Sequence, residues 1–380
     1  MLSPLEYLGS LEKNNLKRSR KIIPESCINF SSNDYLNLSQ DSRVKKSLNQ
    51  AIDLYGFGST GSPFMSGYTQ AQEKLEKSFA EFLQRDKAIF FNSGYHANLG
   101  VIPALVNRHS HVLADKLIHA SLLDGLVLSR AQISRYPHQN FYDFLNKNNL
   151  KKKFNWLVTE SIFSMEGDLT DLSKISPLAQ AAQTSLYIDD AHGIGILGKT
   201  GAGVAEHFSL SQKELACLNS PLGKAFGGMG AIISGSEDLI EFILQTARTY
   251  KYSTALPPAL AEGLLTVLKI IQQESWRREK LQDLIFYFLE KSKSLGLKII
   301  SEDPTPIKSI LIGNNLEALE IQDQLLNQNI FVSAIRPPTV PIHTARLRIS
   351  LSCVHEKSQI DQLLNLIAFQ LDQLDPDQTS

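Results

Sequence analysis

Apolar residues along this 380-residue chain fall into short runs separated by segments with three- and four-residue spacing. Runs of strand character lie at residues 88–91, 111–114, 132–136, 154–159, 185–189, 215–218 and 231–234. Between them, residues 70–83, 97–106, 121–128 and 172–183 repeat their apolar positions with the period of a helix. Strands alternating with helices predict an α/β fold, a mostly parallel sheet with helices on both faces. In such sheets ligands bind beyond the carboxyl ends of the strands. After Thr254 the pattern changes. Pro257-Pro258 opens a helical region that runs to about residue 295 in two pieces. Strand-like stretches follow at 298–300 and 309–312, then a helix over 316–327, strands at 330–333 and 347–351, and an amphipathic helix over 357–373. The tail from Asp375 is expected to fray. This organisation predicts a basic N-terminal segment (1–35), a large α/β domain (36–255) and a smaller α+β domain (256–380).

Composition narrows the class. Hydrophobic content of 43% with 20% charged residues is that of an ordinary soluble enzyme, and the length calls for more than one core. A net charge of −1 gives no reason to expect nucleic acid or an anionic membrane as partner. Cys27, Cys217 and Cys353 match neither a disulfide framework nor a zinc pattern, and suit buried thiols in a reducing cytoplasm. The first residues lack a basic segment followed by an apolar core, and no apolar run approaches the ~20 residues of a membrane span. A cytoplasmic location is expected.

Candidate chemistry centres on Asp189 and Lys224. Asp189 closes the apolar run Leu186-Tyr187-Ile188 and opens Asp189-Asp190-Ala191-His192-Gly193. Lys224 sits in Gly223-Lys224-Ala225-Phe226-Gly227-Gly228. An acid at a strand end keeps a heterocyclic nitrogen protonated, and a lysine in a tight glycine-rich turn forms an imine with an aldehyde on the same ring. Together they are the equipment of pyridoxal 5'-phosphate (PLP) chemistry. Asn92-Ser93-Gly94-Tyr95-His96 follows a strand and opens a helix, which reads as an anion site for a phosphate or as a plain strand-to-helix turn. His119, just beyond the strand 111–114, suits stacking on a cofactor ring or proton transfer, and equally an N-terminal turn. In the hydroxyl-rich loop 159–168, Ser164 suits a phenolic cofactor oxygen and Glu160 an organising role, while Glu166 and Asp168 read as solvated charges.

A competitor of another class is a nucleotide-binding P-loop, because Gly193 to Gly198-Lys199-Thr200 has the G-x-x-x-x-G-K-[ST] spacing. The second glycine cluster, Gly201-Ala202-Gly203, disfavours the helix that a P-loop needs at that point. A glycine-rich connection over an active site is the better expectation.

The ordered series resembles the α-oxoamine synthases, PLP enzymes of fold type I that join an amino acid to an acyl thioester with loss of CO₂. The resemblance runs from about residue 30 to 367. It is carried by Phe30-Ser31-Ser32-Asn33-Asp34-Tyr35-Leu36, Ser66-Gly67-Tyr68, Ser93-Gly94-Tyr95, His119-Ala120-Ser121, Glu160 to Asp168, Asp189 to Gly193, Gly223-Lys224 and Tyr252-Ser253-Thr254. Within the family, Ala334 to Pro341 and Thr344 to Arg348 look most like members that condense L-alanine with a pimeloyl thioester, carried by CoA or a carrier protein. Another amino acid or a longer acyl chain is the alternative.

The resemblance implies that Lys224 holds PLP, Asp189 pairs with the pyridinium nitrogen, and His119 stacks on the ring. It assigns His192 and Ser164 to the phenolic oxygen, and Ser93, Gly94 and Tyr95 to the phosphate. Ser253 and Thr254 would reach that phosphate from the partner in a homodimer. Arg348 would grip the amino-acid carboxylate as a fixed fork, with Asn33 and Thr339 in the substrate-binding set. Arg18 or Arg20 would meet the distal carboxylate of the acyl chain. Pro221 stands where the family carries a threonine three residues before the lysine, so a phosphate contact is lost, with Ser220 or a partner hydroxyl as substitute. Pro63-Phe64 and Gln72 also depart from the family pattern.

Overall fold

The computed structural model describes residues 3–141 and 153–374. The chain divides into two compact units, one of residues 36–163 and 169–278, the other of residues 1–35, 164–168 and 279–380. The grouping differs from the three expected segments in three places, one of them the loop 164–168, which was expected in the large domain. Helix Pro258–Gln273 belongs to the larger unit because its apolar face packs on helices Ser42–Tyr55 and Gln70–Phe82. The N-terminal segment belongs to the smaller unit, where β1 (Ile28–Asn29) pairs in parallel with a strand at Ile330–Phe331.

The larger unit is built on seven strands: β2 (Lys87–Phe91), β3 (His111–Asp115), β4 (Gln132–Tyr136), β5 (Trp156–Glu160), β6 (Ser185–Asp189), β7 (Cys217–Pro221) and β8 (Ala231–Gly235). Their order across the sheet is β2-β8-β7-β6-β5-β3-β4. Only β8 runs against its neighbours, so the other six present their carboxyl ends along one edge. Strands covered on both faces read as continuous apolar runs, which is why the sequence pattern located them. The exception is β7, displaced from the expected 215–218. Leu215 N–H is taken by the Ser211 carbonyl in a turn, and pairing with β6 starts at Cys217.

The connection from β7 to β8 folds back on itself. Leu222 N–H donates to the Gly230 carbonyl at 2.9 Å, Gly228 N–H to the Leu222 carbonyl at 3.0 Å, and Gly227 N–H to the Lys224 carbonyl at 2.7 Å. Gly227 has φ +62°, and a Cβ there would lie 2.3 Å from the Ser39 backbone nitrogen. Lys224, half-buried, is carried on this closed turn.

In the smaller unit, β9 (Ile307–Gly313), β11 (Ser333–Ile335) and β12 (Ala345–Ser350) form an antiparallel sheet, and β10 (Ile330–Phe331) is the partner of β1. The strand expected at 298–300 is reduced to a single bridge between Ile299 and Ile310, and the run expected at 330–333 is divided between β10 and β11. The loop 164–168 joins this unit through its own bonds. Thr305 Oγ1 donates to the Gly167 carbonyl, and Ser309 Oγ to the Met165 carbonyl. Glu166, expected as a solvated charge, is ion-paired with the buried Arg346 at 3.1 Å.

Among the described residues, helices Pro4–Lys13, Ser42–Tyr55, Glu237–Thr246 and Arg248–Tyr252 were not expected from the apolar pattern. Pro4–Lys13 is set by a capping box between Ser3 and Glu6, a Ser-x-x-Glu signature that was legible. Ser42–Tyr55 starts at Asp41, whose side chain caps Arg43 N–H. The tail 375–380 lies outside the described residues. Among the described residues no helix is long and apolar enough to cross a membrane.

Gly227→Ala adds a side chain to a left-handed backbone against Ser39, so backbone strain alone is expected to cost about 1–3 kcal/mol. A thermal scan should show a midpoint several degrees lower. An unchanged midpoint would mean that the turn carrying Lys224 is not held as described.

Candidate active site

Strand ends bring the expected residues of the larger unit to one edge. Asp189 sits in register with Glu160 on β5 and Asn219 on β7, while Phe91 and Pro221 both pair with Ala231 two rungs further on. Just past β2, Ser93 caps the helix Gly94–Leu105, its Oγ accepting from His96 N–H at 3.1 Å, and Ser93 also bridges to Gly230. The first N–H groups of that helix have no carbonyl partner of their own and stand at the carboxyl edge of the sheet, where an anion is favoured. A Cβ on Gly94 would lie 2.6 Å from Pro221 Cγ, so the ring of Pro221 packs directly on this first turn. Ser220 does not replace the missing threonine. Successive side chains on a strand face opposite ways, which puts Ser220 on the face of β7 away from Pro221. Its hydroxyl is buried with no hydrogen-bond partner.

Asp189 is only 5% exposed. Its Oδ2 accepts from Asn98 Nδ2 at 2.7 Å and from Asn219 Nδ2 at 3.2 Å, and its Oδ1 accepts from Ala191 N–H at 3.1 Å. Asn98, on the helix Gly94–Leu105, is fully buried. Its second N–H donates to Ser121 Oγ, and its oxygen accepts from Tyr187 OH and Asn219 Nδ2. Sequence reasoning missed Asn98, Ser121 and Asn219. The available signal was a carboxamide one helical turn past the Ser93-Gly94 cap, on a face otherwise apolar.

His119 caps the helix Ala120–Ser129, and its backbone N–H is held by the Glu160 carboxylate. Its Nδ1 accepts from Ser121 N–H at 3.2 Å. The surrounding protein, with the charge of Lys224, holds the ring below the usual imidazole pKa; Asp189 and Asp124 oppose but do not win. His119 is thus neutral at neutral pH, although part of its surface stays open. Tyr95 meets it edge-on with ring centroids 6.3 Å apart and is itself tied to Asp124. His192 is buried three residues past Asp189.

The glycine-rich stretch after Asp189 is explained by Asp190, not by a nucleotide. A Cβ on Gly193 would lie 2.0 Å from Asp190 Oδ1, and one on Gly203 2.0 Å from Oδ2. Oδ2 also accepts from Val204 N–H at 3.0 Å. Thr200, which a P-loop would turn to a nucleotide, gives both its N–H and its hydroxyl to Glu206 at 3.0 Å, and the helix that follows is only Val204–His207. The P-loop reading is overturned, and Lys199 has no phosphate cradle. Burial pushes the Asp190 carboxyl up to about 7, with Ser161 and the Val204 N–H opposing.

In the smaller unit, Arg348 on β12 is 6% exposed. It donates from Nε to the Ser164 carbonyl at 2.6 Å, from Nη1 to Ser350 Oγ at 2.8 Å and from Nη2 to Asn33 Oδ1 at 3.1 Å. A guanidinium has five N–H groups, and the Tyr35 hydroxyl is bonded to this one as well, so the charged side chain is held rigidly in place. Ser164 thus acts here through its carbonyl, and Asn33 as a brace for Arg348. Arg18 donates to Thr339, and both line a groove of about 570 Å³ that also contains Arg336, a residue sequence reasoning quoted but assigned no role. Arg20 is exposed and does not line it. Of Ser253 and Thr254, in the larger unit, the Thr254 carbonyl holds Asn92 Nδ2 at 2.9 Å.

Residues 25–367 match the aminotransferase class I and II family. The chain belongs to that family. An 8-amino-7-oxononanoate synthase from Thioalkalivibrio sulfidiphilus is 43% identical over 93% of this chain and 93% of its own. The crystal structure of the synthase of that name from Francisella tularensis superposes with a TM-score of 0.82 at 37% identity, covering 92% of this chain and 99% of that one. Serine palmitoyltransferase from S. paucimobilis, solved with bound PLP, has the same fold at a TM-score of 0.89 and 23% identity, over 96% of both chains. The expected fold type I, PLP dependence and likeness to α-oxoamine synthases are borne out. The donor set fits the cofactor: a helix N-terminus for the phosphate, a buried carboxylate fixed by amides for the ring nitrogen, and a lysine on a tight turn for the aldehyde.

Two outcomes are expected here. Lys224→Ala should fold and lose the visible absorbance band that lysine-linked PLP gives, whereas Lys199→Ala should keep it. For Asp190, the raised carboxyl pKa means that the folded state binds more protons than the unfolded one between about pH 4 and 7. Its contribution to stability therefore falls as pH rises through that window. Asp190→Asn should flatten the difference in denaturant midpoint between about pH 5 and about pH 8, and an unaltered difference would exclude Asp190 as its source.

Proposed function

We propose that this enzyme condenses L-alanine with a pimeloyl thioester of CoA or a carrier protein, giving 8-amino-7-oxononanoate, CO₂ and the free thiol in biotin biosynthesis. The choice of acyl chain rests on the charge of the groove in the smaller unit. Arg336 is 9% exposed, and its Nε is buried without a partner. Burial and the nearby charge of Arg18 hold its pKa below the usual guanidinium value. Asp323, the acid in the same groove, is paired with Lys21 at 3.0 Å. Two neighbouring guanidiniums call for an added anion. A monothioester of a dicarboxylic acid brings one, whereas a fatty acyl chain ends in a methyl group. The same observation favours Arg18 over Arg20 as the contact for the distal carboxylate.

PLP, when bound, supplies an electron sink for negative charge at the amino-acid Cα. The chain's residues do the rest. Lys224 Nζ anchors the cofactor between turnovers and moves the proton at alanine Cα. Asp189, fixed by Asn98 and Asn219, faces the ring nitrogen, and neutral His119 lies against the ring. The N–H groups of Gly94 and Tyr95, with Ser93, hold the phosphate, joined by Ser253 and Thr254 of a second copy in a homodimer. His192 and Ser164 serve the phenolic oxygen. Arg348, braced by Asn33, orients the alanine carboxylate.

Charge-assisted hydrogen bonds contribute about 1.5–3 kcal/mol, so Arg18→Gln and Arg336→Gln should each raise KM for pimeloyl thioester about tenfold or more. Neither should alter turnover of a fatty acyl thioester of equal length. A panel in which pimeloyl thioester with alanine is inert, while a fatty acyl thioester or serine releases CO₂, would contradict the assignment.

A further inference from the structure

The hydrogen bonds around Asn98 form a continuous chain between two groups that the proposed function places on the cofactor ring. Asn98 Nδ2 donates to Asp189 Oδ2 at 2.7 Å and to Ser121 Oγ at 2.8 Å, and Ser121 Oγ lies 2.8 Å from His119 Nδ1. The direction of every proton is determined. Ser121 N–H reaches His119 Nδ1 only at 3.2 Å, so the nearer Ser121 hydroxyl, 2.8 Å away, decides the tautomer: when it donates, Nδ1 is an acceptor and the neutral ring carries its proton on Nε2. Ser121 Oγ receives one Asn98 N–H and is left with its own hydrogen to give to Nδ1. The Asn98 amide cannot be flipped, because its oxygen would then face the Asp189 carboxylate oxygen 2.7 Å away. All four hydrogen-bonding positions of a fully buried carboxamide are filled.

We propose that Asn98 is a positioning residue that couples the His119 ring to the Asp189 carboxylate, fixing His119 as the Nε2–H tautomer and Asp189 as an acceptor. The inference rests on the reading of His119 and Asp189 as ring contacts. The charged and titratable groups facing His119 are Asp189, Lys224, Asp124 and Glu160, with Tyr95 against its edge. Asn98 acts through Ser121 among them and carries no charge itself. Replacing it with a carboxylate reverses the chain. Asn98→Asp accepts the Ser121 hydrogen, which turns the Ser121 oxygen to accept from a protonated Nδ1.

The test is ¹⁵N-histidine NMR of the protein without PLP, with His119 assigned by His119→Gln. The unaltered protein should show a protonated Nε2 and a bare Nδ1. Asn98→Ala should mix the two tautomers, and Asn98→Asp should raise the His119 pKa by about one unit or more. Adding Ser121→Ala to Asn98→Asp should remove most of that rise, which a bare charge effect would not do. Folded Asn98 variants with an unchanged His119 pattern would overturn the proposal. If neither Asn98 variant folds, Ser121→Ala is read instead, and an unchanged pattern there overturns it equally. Failure of the cofactor reading is seen separately, as failure of the unaltered protein to take up PLP.

Discussion

Asp189 stands at the carboxyl end of β6 with 5% of its surface open, and a carboxylate in that position is costly unless donors surround it. The fold supplies them from three sides: Asn219 from β7, Asn98 from the helix after β2, and the backbone of Ala191 from its own turn. That requirement ties the neighbouring strands and the helix Gly94–Leu105 to one arrangement. The helix in turn places its N-terminus at the sheet edge, so satisfaction of the buried acid and creation of an anion site are the same structural event. Tyr187, on β6 itself, closes the network from below by donating to Asn98.

Glycines serve this arrangement by removing side chains where backbone must pass a functional group. Gly94 leaves room for Pro221, Gly193 and Gly203 for the Asp190 carboxyl, and Gly227 for the backbone at Ser39. The last sets the turn on which Lys224 is carried. The same economy produced the P-loop likeness. A spacing of glycines, lysine and threonine records only that backbone comes close to something, and here the thing approached is a buried carboxyl and Glu206. Pro221, which looked like a simple loss, is the packing surface for the Gly94 turn.

The central sheet was legible because β3, β6 and β8 are covered on both faces and read as apolar runs, and the Asp189–Lys224 pair because both follow such runs directly. Less was legible where contacts are distant in sequence. Asn98 and Asp189 are 91 positions apart, and no local pattern marks a carboxamide as the hub of a network. Glu166 looked solvated because its partner Arg346 lies 180 positions away. Arg18 could not be separated from Arg20 until the groove with Thr339 and Arg336 was seen. The helix Pro4–Lys13 is a different kind of miss, since its capping box, Ser3 with Glu6, is local.

The larger unit carries Asp189, His119 and Lys224, and the smaller carries Arg348, Arg336 and Arg18. The central claim is that PLP is held covalently at the turn after β7. Borohydride reduction of the PLP-loaded protein, followed by mass mapping of its peptides, tests this most directly. The account predicts a stable pyridoxyl adduct on Lys224 and no adduct on Lys199. An adduct on any other lysine, or none after PLP is taken up, would contradict it.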